Sequence, residues 1–335
     1  MTPSGPSATI LVTGGAGYIG SHVCLALAAA GWWPVVYDDL SGGHDWAVQW
    51  GPLVRGDLAD AAALGAALVQ YRPAAVIHLA GLIVASESVA QPARYHHANV
   101  TGTQVLLDAM QRHGIERIVF SSTAAVYGEP QAVPIREDHP LAPINPYGDS
   151  KRMAEALLAD HARSHGLRSV SLRYFNAAGA DPEGRIGEAH PLETHLIPLV
   201  LGAAAGRLPP VMLFGIDYPT RDGSCLRDYV HVCDLADAHV AALDRLAAQP
   251  GAAVFNLGSE TGATVREVIA CAEAVTGRTV PVVTAGRRPG DPATLLADAT
   301  LARRDLGWQP RRSGLADIVE AAWRWECRRP ALPQL

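Results

Sequence analysis

Short apolar runs alternate with amphipathic stretches through the first half of the chain. The runs are rich in β-branched and aliphatic residues, as in TILVT at residues 9–13 and AVIHLA at residues 75–80, which is typical of buried strands. Helical patterns separate them, including residues 21–30 and the alanine-rich residues 59–68. The predicted strands are residues 9–13, 35–38, 53–58, 75–80, 117–123 and 169–175.

This alternation predicts an α/β fold with a Rossmann-type doubly wound parallel sheet. After about Gly179, glycine and proline become frequent and the elements shorten, which indicates a smaller C-terminal substrate-binding α/β domain. The expected domains are residues 1–178 and 179–335. Predicted strands at 228–232 and 254–258 suggest that segments near 228–260 return to the first domain.

Gly14, Gly17 and Gly20 form a G-x-x-G-x-x-G loop between the first strand and the next helix. Glycine permits the close approach of a pyrophosphate, and the helix N-terminus supplies N–H donors to it. Asp38 ends the second strand, where a carboxylate accepts hydrogen bonds from a ribose and repels a 2′-phosphate. The loop therefore predicts NAD rather than NADP, although Asp38 placed there would also cap the following turn.

Lys151 is the one lysine among 27 lysine and arginine residues, and it stands four positions after Tyr147. Asn145 is a predicted N-cap and Pro146 a first helical residue, so Tyr147 and Lys151 lie on one helix face. A nearby cation lowers the pKa of a phenol and favours its use as a base. Taken alone, the pair is equally compatible with an ordinary surface contact.

Composition excludes several classes of function. The net charge of −6 and the scattered arginines argue against nucleic acid binding. The longest apolar run, near 196–205, is too short for a membrane span and contains Pro198 and Gly202. Residues 1–7 lack a signal-peptide pattern. Five cysteines without a C-x-x-C pair indicate reduced thiols, so a cytoplasmic location is expected.

The thirteen histidines show no recognised metal-binding spacing. His190, Glu193 and His195 are close in sequence, but they lie in a proline-containing segment. Structural or substrate-contact roles are favoured for them, and no metal is expected.

Six motifs are spread over nearly the whole chain: VTGGAGYIGSH (12–22), FSSTAAVYG (120–128), NPYGDSK (145–151), LRYFNAAGA (172–180), FGIDYPTRDGSCLRDYVHV (214–232) and RRPGDPA (287–293). Taken together, they resemble the extended short-chain dehydrogenase/reductase family. Within this family, the chain is similar to the members that invert C4 of UDP-hexoses. The last three motifs are more specific than the glycine loop, because they belong to the nucleotide-sugar side.

The resemblance implies a role for each matching residue, with NAD bound by residues 1–178 and the UDP-sugar by residues 179–335. Tyr147 would be the base and acid, Lys151 would contact the nicotinamide ribose and lower the Tyr147 pKa, and Thr123 would bind the 4′-oxygen. The implied NAD site is Gly14, Gly17, Tyr18, Ile19, Gly20, Asp38, Asp57, Leu58, Ala80, Asn99, Lys151 and Phe175. The implied substrate site is Thr123, Tyr147, Asn176, His195, Leu196, Phe214, Arg227, Tyr229, Arg288 and Asp291.

The side-chain chemistry suits these implied roles. The Arg227 and Arg288 guanidinium groups match diphosphate oxygens. Phe214 would pack on uracil, or else would simply belong to the core. The implied reaction interconverts UDP-galactose and UDP-glucose in galactose metabolism, through NAD-mediated oxidation at C4, rotation of the 4-keto sugar and reduction on its opposite face.

Related activities fit less well. The family's sugar dehydratases carry an Asp-Glu pair after the threonine, whereas Ala124 and Ala125 follow Thr123 here. The glutamate usual in the related decarboxylases is absent from this stretch too. Two alternatives stay open: a UDP-pentose (arabinose or xylose) 4-epimerase, and a non-catalytic NAD-sensing regulator. The intact Tyr147, Lys151 and Thr123 argue against the second.

Two positions depart from the family pattern. Ile83 replaces a lysine that contacts the cofactor in some members, and Leu295 replaces a bulky tyrosine that lines the sugar pocket in others. The smaller side chain at 295 makes UDP-N-acetylhexosamines further candidate substrates. The resemblance also implies a homodimer paired through the helices that carry Asn99 and Tyr147.

Overall fold

Strands and helices alternate through the first half of the chain in the computed structural model, which describes residues 8–288 and 290–330. The strands are β1 Thr9–Thr13, β2 Trp33–Asp38, β3 Leu53–Arg55, β4 Ala75–His78, β5 Arg117–Thr123, β6 Arg168–Tyr174, β7 Asn176–Ala178, β8 Val211–Phe214, β9 Leu226–Arg227, β10 Tyr229–His231, β11 Ala252–Leu257, β12 Ala263–Thr264, β13 Val282–Ala285 and β14 Thr294–Leu295.

Helices follow most strands of the first half and dominate the second. They are α1 Tyr18–Ala29, α2 Ala61–Tyr71, α3 Ala85–Ala90, α4 Pro92–His96, α5 Gly102–Arg112, α6 Pro146–His165, α7 Leu196–Ala204, α8 Val232–Ala248, α9 Val265–Thr276, α10 Thr300–Asp305 and α11 Leu315–Glu326. A π-helical segment, His97–Thr101, joins α4 to α5.

A parallel seven-stranded sheet in the order β11-β6-β5-β4-β1-β2-β3 forms the centre of the fold. The carboxyl ends of β1 and β4 are aligned, because Thr13 pairs with His78; His78 also pairs with Phe120, and β5 continues from there to Thr123. The predicted Rossmann-type α/β fold is confirmed. Ligands of such sheets bind beyond the carboxyl ends of the strands, which is where the predicted site residues lie.

Both faces of the sheet are covered by helices. Along β1, Ile10 and Val12 pack in a cluster with α1 and α8 residues, whereas Leu11 packs in a second cluster with α2, α5 and α6 residues. Successive side chains of a strand point to opposite faces. Burial on both faces explains why these strands are continuous apolar runs in the sequence.

Two predicted strands end earlier than the sequence suggested. The predicted strands 53–58 and 75–80 end at Arg55 and His78. Arg55 pairs with Asp38 and His78 pairs with Thr13, which are the last residues of the neighbouring strands β2 and β1. Beyond Arg55, β3 has no further β2 residue to pair with, whereas β4 ends level with β1 although β5 continues on its other side to Thr123.

The second half of the chain contributes short strands and a separate apolar cluster from α7, α9 and α11. β11 pairs with β6 in the main sheet, whereas β10 pairs with β7 in a two-stranded sheet of its own. The strand predicted at 228–232 stops at His231, because the His231 side chain accepts a hydrogen bond from the Cys233 amide and caps α8. The division at residue 178 stays a prediction.

Helix α6 begins and ends as its sequence predicts. The Asn145 side chain accepts a 2.8 Å hydrogen bond from the Gly148 amide, and Pro146 is the first helical residue. Gly166 ends the helix with φ 71°, a left-handed conformation that favours glycine. This helix therefore places Tyr147 in its first turn, at the carboxyl edge of the sheet.

In the part of the chain that the structure describes, no helix is both long and apolar enough to span a bilayer. All five cysteines are free thiols. Residues 1–7, in which the sequence shows no signal-peptide pattern, lie outside the described residues, as does Pro289 of the 287–293 motif.

Candidate active site

The glycine loop joins β1 to α1 and lies directly against the loop after β4. Gly14 has a φ of +72°, and a Cβ at this position would lie 2.6 Å from the backbone nitrogen of Ala80. A Cβ on Gly20 would collide with the carbonyl oxygen of Gly14, so α1 packs on the loop itself. Glycine is therefore required at both positions.

Asp38 lies beside this loop and is buried. Its Oδ2 accepts a 3.0 Å hydrogen bond from the Ala16 amide, and its Oδ1 accepts a 2.8 Å bond from the Leu40 amide. The carboxylate thus caps the following turn, as the simpler interpretation held, and also fastens the glycine loop. Burial raises the pKa of Asp38, and the two amide hydrogen bonds oppose that rise.

Asn99 lies in the π-helical segment and fastens the loop after β4. Its Oδ1 accepts from the Leu82 amide at 2.8 Å, while its Nδ2 donates to the Leu82 carbonyl at 3.0 Å and to the Ser150 hydroxyl at 2.9 Å. A Cβ on Gly81 would lie 2.7 Å from this Oδ1 and 3.8 Å from the Lys151 ammonium. Asn99 and Lys151 therefore meet at the end of β4.

Several of the predicted NAD residues lie at the carboxyl edge of the sheet, and their role in binding NAD stays a prediction. A dinucleotide requires close approach to a glycine loop, free backbone N–H donors and a carboxylate acceptor. The loop at Gly14, the start of α1 at Gly17, which no side chain caps, and the carboxylate of Asp38 match these requirements. Tyr18 donates a 2.7 Å hydrogen bond to the Gly179 carbonyl, which ties the loop to the second half of the chain. Leu58 is buried, Asp57 is exposed, and Ile19, Ala80 and Phe175 are half-buried.

Tyr147, Lys151 and Thr123 come together where β5 ends beneath the first two turns of α6. The Thr123 hydroxyl is close enough to the Tyr147 phenol to lower its pKa, and the Thr123 Oγ1 accepts a 3.1 Å hydrogen bond from the Ala125 amide. Lys151 is 4% exposed, and its ammonium donates a 3.0 Å hydrogen bond to the Ser121 carbonyl. The pair is therefore not the surface contact that the sequence left open.

Without cofactor or substrate, the surrounding protein groups do not lower the pKa of Tyr147, so the expected lowering is wrong for the protein by itself. Burial raises the pKa of Tyr147 above its usual value, and the Thr123 hydroxyl opposes this rise only in part. Burial also lowers the pKa of Lys151 to about 8, against the opposing charge of Glu155. The Lys151 ammonium is held by Ser121 and lies 4.8 Å from the centre of the Phe120 ring.

A buried ion pair behind these residues was missed by the sequence reasoning. Arg173 of β6 contacts Glu155 of α6 at two points, Nε to Oε1 at 2.9 Å and Nη2 to Oε2 at 2.5 Å. Glu155 also accepts a hydrogen bond from Ser122, the residue before Thr123. Glu155 follows Lys151 by one helical turn, and this i, i+4 spacing on the catalytic helix was the available signal.

The residues expected to hold UDP lie on short elements of the second half. Asn176 and Tyr229 pair directly between β7 and β10, and Leu196 packs in the same apolar cluster as Tyr229. Arg227 forms an ion pair with Asp291. These contacts bring the predicted residues of four distant segments together.

Phe214 and Arg288 form a second part of this region. The Arg288 guanidinium carbon lies 3.8 Å from the centre of the Phe214 ring, a cation–π contact. Phe214 is half-buried at the end of β8, and Arg288 is exposed. Phe214 therefore presents a face to a charged side chain rather than lying within a core cluster.

Leu295 lies at the boundary of the two regions. It pairs with Arg227 in the β14–β9 ladder and packs in a small cluster with Ala124 and Phe175. Ile83, the other departure, is 42% exposed. Position 295 is therefore next to the threonine-bearing turn and the UDP-side arginine, whereas Ile83 faces solvent.

His195 lies in a compact cluster with His190, Glu193 and Glu188, and sequence reasoning missed the last of these. The Nδ1 atom of His195 is 2.7 Å from Glu188 Oε1 and 3.1 Å from Glu193 Oε1. Burial would lower the pKa of His195, but the two carboxylates outweigh it and raise that pKa to about 10. In the same way the pKa of His190 is raised to about 9.

Relatives of known activity match this chain over almost its full length. It is 53% identical to the UDP-glucose 4-epimerase of Rhizobium meliloti (strain 1021), over 96% of this chain and 97% of that one. Among solved structures, the UDP-glucose 4-epimerase of Brucella ovis in complex with NAD superposes with a TM-score of 0.93 at 49% identity, over 95% and 98% of the two chains.

A third match has both ligands. The UDP-glucose 4-epimerase of Bifidobacterium longum in complex with NAD+ and UDP superposes with a TM-score of 0.91 at 37% identity, over 96% and 99% of the two chains. The family described as NAD dependent epimerase/dehydratase matches residues 10–258. Fold, site geometry and similarity agree, and the chain belongs to the NAD dependent epimerase/dehydratase family.

Proposed function

We propose that this chain is an NAD-dependent epimerase that interconverts UDP-galactose and UDP-glucose. The observation that carries the proposal is the grouping of half-buried Tyr147 with buried Thr123 and Lys151 at the carboxyl end of β5. Relatives at 43–53% identity over nearly the full chain have this activity by name. The residues that dehydration would need are replaced by Ala124 and Ala125.

Each group of the site then has a task in the reaction. Tyr147 removes the proton of the 4′-hydroxyl and later returns it, while Thr123 holds the oxygen that carries this proton. When bound, NAD would supply the hydride acceptor and donor for C4, while Tyr147 and Thr123 handle the proton and the oxygen at the 4′ position. Lys151, fixed to Ser121, provides a positive charge close to the reacting groups.

The Tyr147 base needs help from the completed site. Burial raises the pKa of Tyr147, so the phenolate is unfavourable unless more positive charge faces it. Oxidised nicotinamide carries a positive charge, and its binding would supply this. The NAD-binding residues proposed are Gly14, Gly17, Tyr18, Ile19, Gly20, Asp38, Asp57, Leu58, Ala80, Asn99, Lys151 and Phe175.

The UDP part of the substrate is the proposed anchor. Guanidinium groups bind diphosphate oxygens at two points; Arg227 belongs to β9, and Arg288 follows β13 and lies over the Phe214 ring of β8. The sugar must turn over within the site, so firm contacts are needed on the nucleotide. The proposed substrate residues are Thr123, Tyr147, Asn176, His195, Leu196, Phe214, Arg227, Tyr229, Arg288 and Asp291.

A wider range of sugars is supported by one observation. Leu295 packs beside Ala124 and Phe175, next to Thr123 in the chain. A leucine occupies less space there than a tyrosine would, so we extend the proposal to UDP-N-acetylhexosamines. We also propose that the protein works in the cytoplasm as a homodimer, paired through the helices that carry Asn99 and Tyr147.

Purified protein, with no NAD added, should convert UDP-galactose to UDP-glucose, followed with a coupled dehydrogenase. Tyr147→Phe should lower this rate by about 10²–10⁴-fold, while Tyr71→Phe, a packing tyrosine against Trp33 at the end of α2, should not. If only UDP-pentoses turn over, the proposed UDP-hexose substrates are wrong. If no sugar turns over even with added NAD, the proposal of catalysis fails.

A further inference from the structure

Four potential metal ligands converge in the segment between β7 and α7. The ligand atoms of Glu188, His190, Glu193 and His195 all lie within 4.8 Å of one another. The cluster lies outside the reacting centre, although His195 also belongs to the proposed substrate site. We propose that these four side chains form a site for one divalent transition-metal ion of the zinc type.

The spacing of the ligand atoms fits a tetrahedral ion. Zinc bonds to histidine nitrogen and carboxylate oxygen are about 2.0–2.1 Å, which separates neighbouring ligands by about 3.3 Å. Here Glu188 Oε1 lies 2.7 Å from His195 Nδ1 and 3.2 Å from His190 Nδ1, while Glu193 faces His195 Nδ1 with Oε1 at 3.1 Å and His190 Nδ1 with Oε2 at 3.4 Å. Both histidines use Nδ1, so shifts of a few tenths of an ångström would complete the geometry.

Glu188 supplies the independent observation. Only 6% of its side chain is exposed, and no well-directed hydrogen bond reaches its Oε1 among residues 8–288 and 290–330, although the Nδ1 atoms of His195 and His190 lie 2.7 and 3.2 Å away. A buried carboxylate oxygen is costly unless a cation or a directed hydrogen bond faces it. This oxygen is therefore aimed into the cluster, where a bound cation or protonated histidines would balance its charge.

Charge and ligand type select the ion. When an ion binds, the two imidazoles give up their protons, and the two carboxylates then carry a charge of −2, which a divalent cation balances. Imidazole nitrogen with carboxylate oxygen suits zinc and its neighbours rather than calcium or magnesium, which prefer oxygen ligands. Four protein ligands make a closed site, which is typical of structural rather than catalytic zinc.

The backbone around the cluster is already held in place. Trp325 Nε1 donates a 2.8 Å hydrogen bond to the Glu188 carbonyl, and His44 Nε2 lies 2.6 Å from the Ala189 carbonyl oxygen. His195 is the N-cap residue of α7. A bound ion would therefore fix the start of α7 and orient His195 with its Nε2 directed away from the cluster, available to a ligand.

Zinc titration of the chelator-treated protein, followed by calorimetry and by metal content after dialysis, tests the site. One tightly bound zinc per chain is expected, and cobalt(II) in its place should show the visible absorption of tetrahedral coordination. His190→Ala and Glu193→Gln should each weaken binding at least about tenfold. His113→Ala, which removes an exposed histidine at the end of α5, should not.

The near-isosteric Glu193→Gln keeps the test valid if His190→Ala fails to fold. Equal zinc affinity in all four proteins would assign the metal to surface histidines and overturn the proposal. Absence of tight zinc binding by the unsubstituted protein would also overturn it, and would leave an ion-pair cluster of protonated histidines with two carboxylates. Neither result depends on epimerase activity.

Discussion

The ammonium of Lys151 donates a 3.0 Å hydrogen bond to the carbonyl of Ser121, two residues before Thr123 on the same strand. This bond joins the catalytic helix to the strand that ends in the site. Burial lowers the pKa of Lys151 to about 8, against the opposing charge of Glu155. The folded protein therefore carries the cost of a buried charge at neutral pH.

Lys151→Met should remove the contribution of Lys151 to the pH dependence of the free energy of unfolding. Below about pH 8 both folded and unfolded protein carry the charge, and above about pH 10.4 neither does. Between these values the unfolded state binds more protons. As the pH rises through this range, the free energy of unfolding of the unsubstituted protein should therefore increase by on the order of 3 kcal/mol relative to that of the variant. Urea unfolding of both proteins, at equal cofactor content across this range, measures the difference. A difference independent of pH would contradict the buried charge.

Thr123→Ala should move the pH dependence of catalysis. The Thr123 hydroxyl lowers the pKa of Tyr147, so its loss should raise that pKa further. A base must be deprotonated to act, and the rising part of the pH–rate profile should therefore shift to higher pH. Thr123→Ser keeps the hydroxyl and is the matched control. An unshifted profile in the alanine variant would remove Thr123 from this role.

Asp38→Asn should weaken the discrimination between NAD and NADP. The negative charge beside the adenosine ribose is lost, while an amide can still accept a hydrogen bond from Ala16 or Leu40. The dissociation constant for NADPH divided by that for NADH should fall by on the order of tenfold, which corresponds to about 1.4 kcal/mol. Fluorescence titration with NADH and NADPH measures both constants, and an unchanged ratio would count against Asp38.

Arg173→Met should destabilise the protein strongly, because it leaves the buried Glu155 carboxylate unpaired. Breaking a buried pair in this way costs about 3–5 kcal/mol. Arg163→Met breaks an exposed pair with Asp160 and should cost less than about 1 kcal/mol. Chemical denaturation compares the two. Equal effects would show that the Glu155 pair does not stabilise the fold beyond a surface contact.

Leu295→Tyr should narrow the range of sugars. The larger ring would fill space beside Phe175 and Ala124, so kcat/KM for UDP-N-acetylgalactosamine should fall at least about tenfold. The value for UDP-galactose should change much less. If the original protein neither converts nor is inhibited by the N-acetyl sugar, position 295 does not control this selectivity.

Much of this site could be predicted from local sequence, because its parts lie at strand ends and helix starts. The run before Gly14, the Asn145 cap and the spacing of Tyr147 and Lys151 each have a local physical signature. Strand lengths were less predictable. Whether β3 stops at Arg55 depends on where its neighbour β2 ends, which is a tertiary property.

Other features depend on residues that are distant in sequence. The Glu155–Arg173 pair joins α6 to β6, 18 residues further along the chain. The direction of the Tyr147 pKa shift was mispredicted, because i, i+4 spacing indicates the neighbour but not the degree of burial. The π-helical segment at Asn99 has no sequence signal comparable to an N-cap.

The central claim is that C4 is oxidised and reduced again without exchange of its hydrogen with water. UDP-galactose carrying deuterium at C4 should be converted by the purified protein in ordinary water, and the UDP-glucose analysed by mass spectrometry. Full retention of the deuterium is predicted, because the same hydrogen leaves and returns within the closed site. Loss of the deuterium to solvent would contradict the account and indicate epimerisation by proton abstraction.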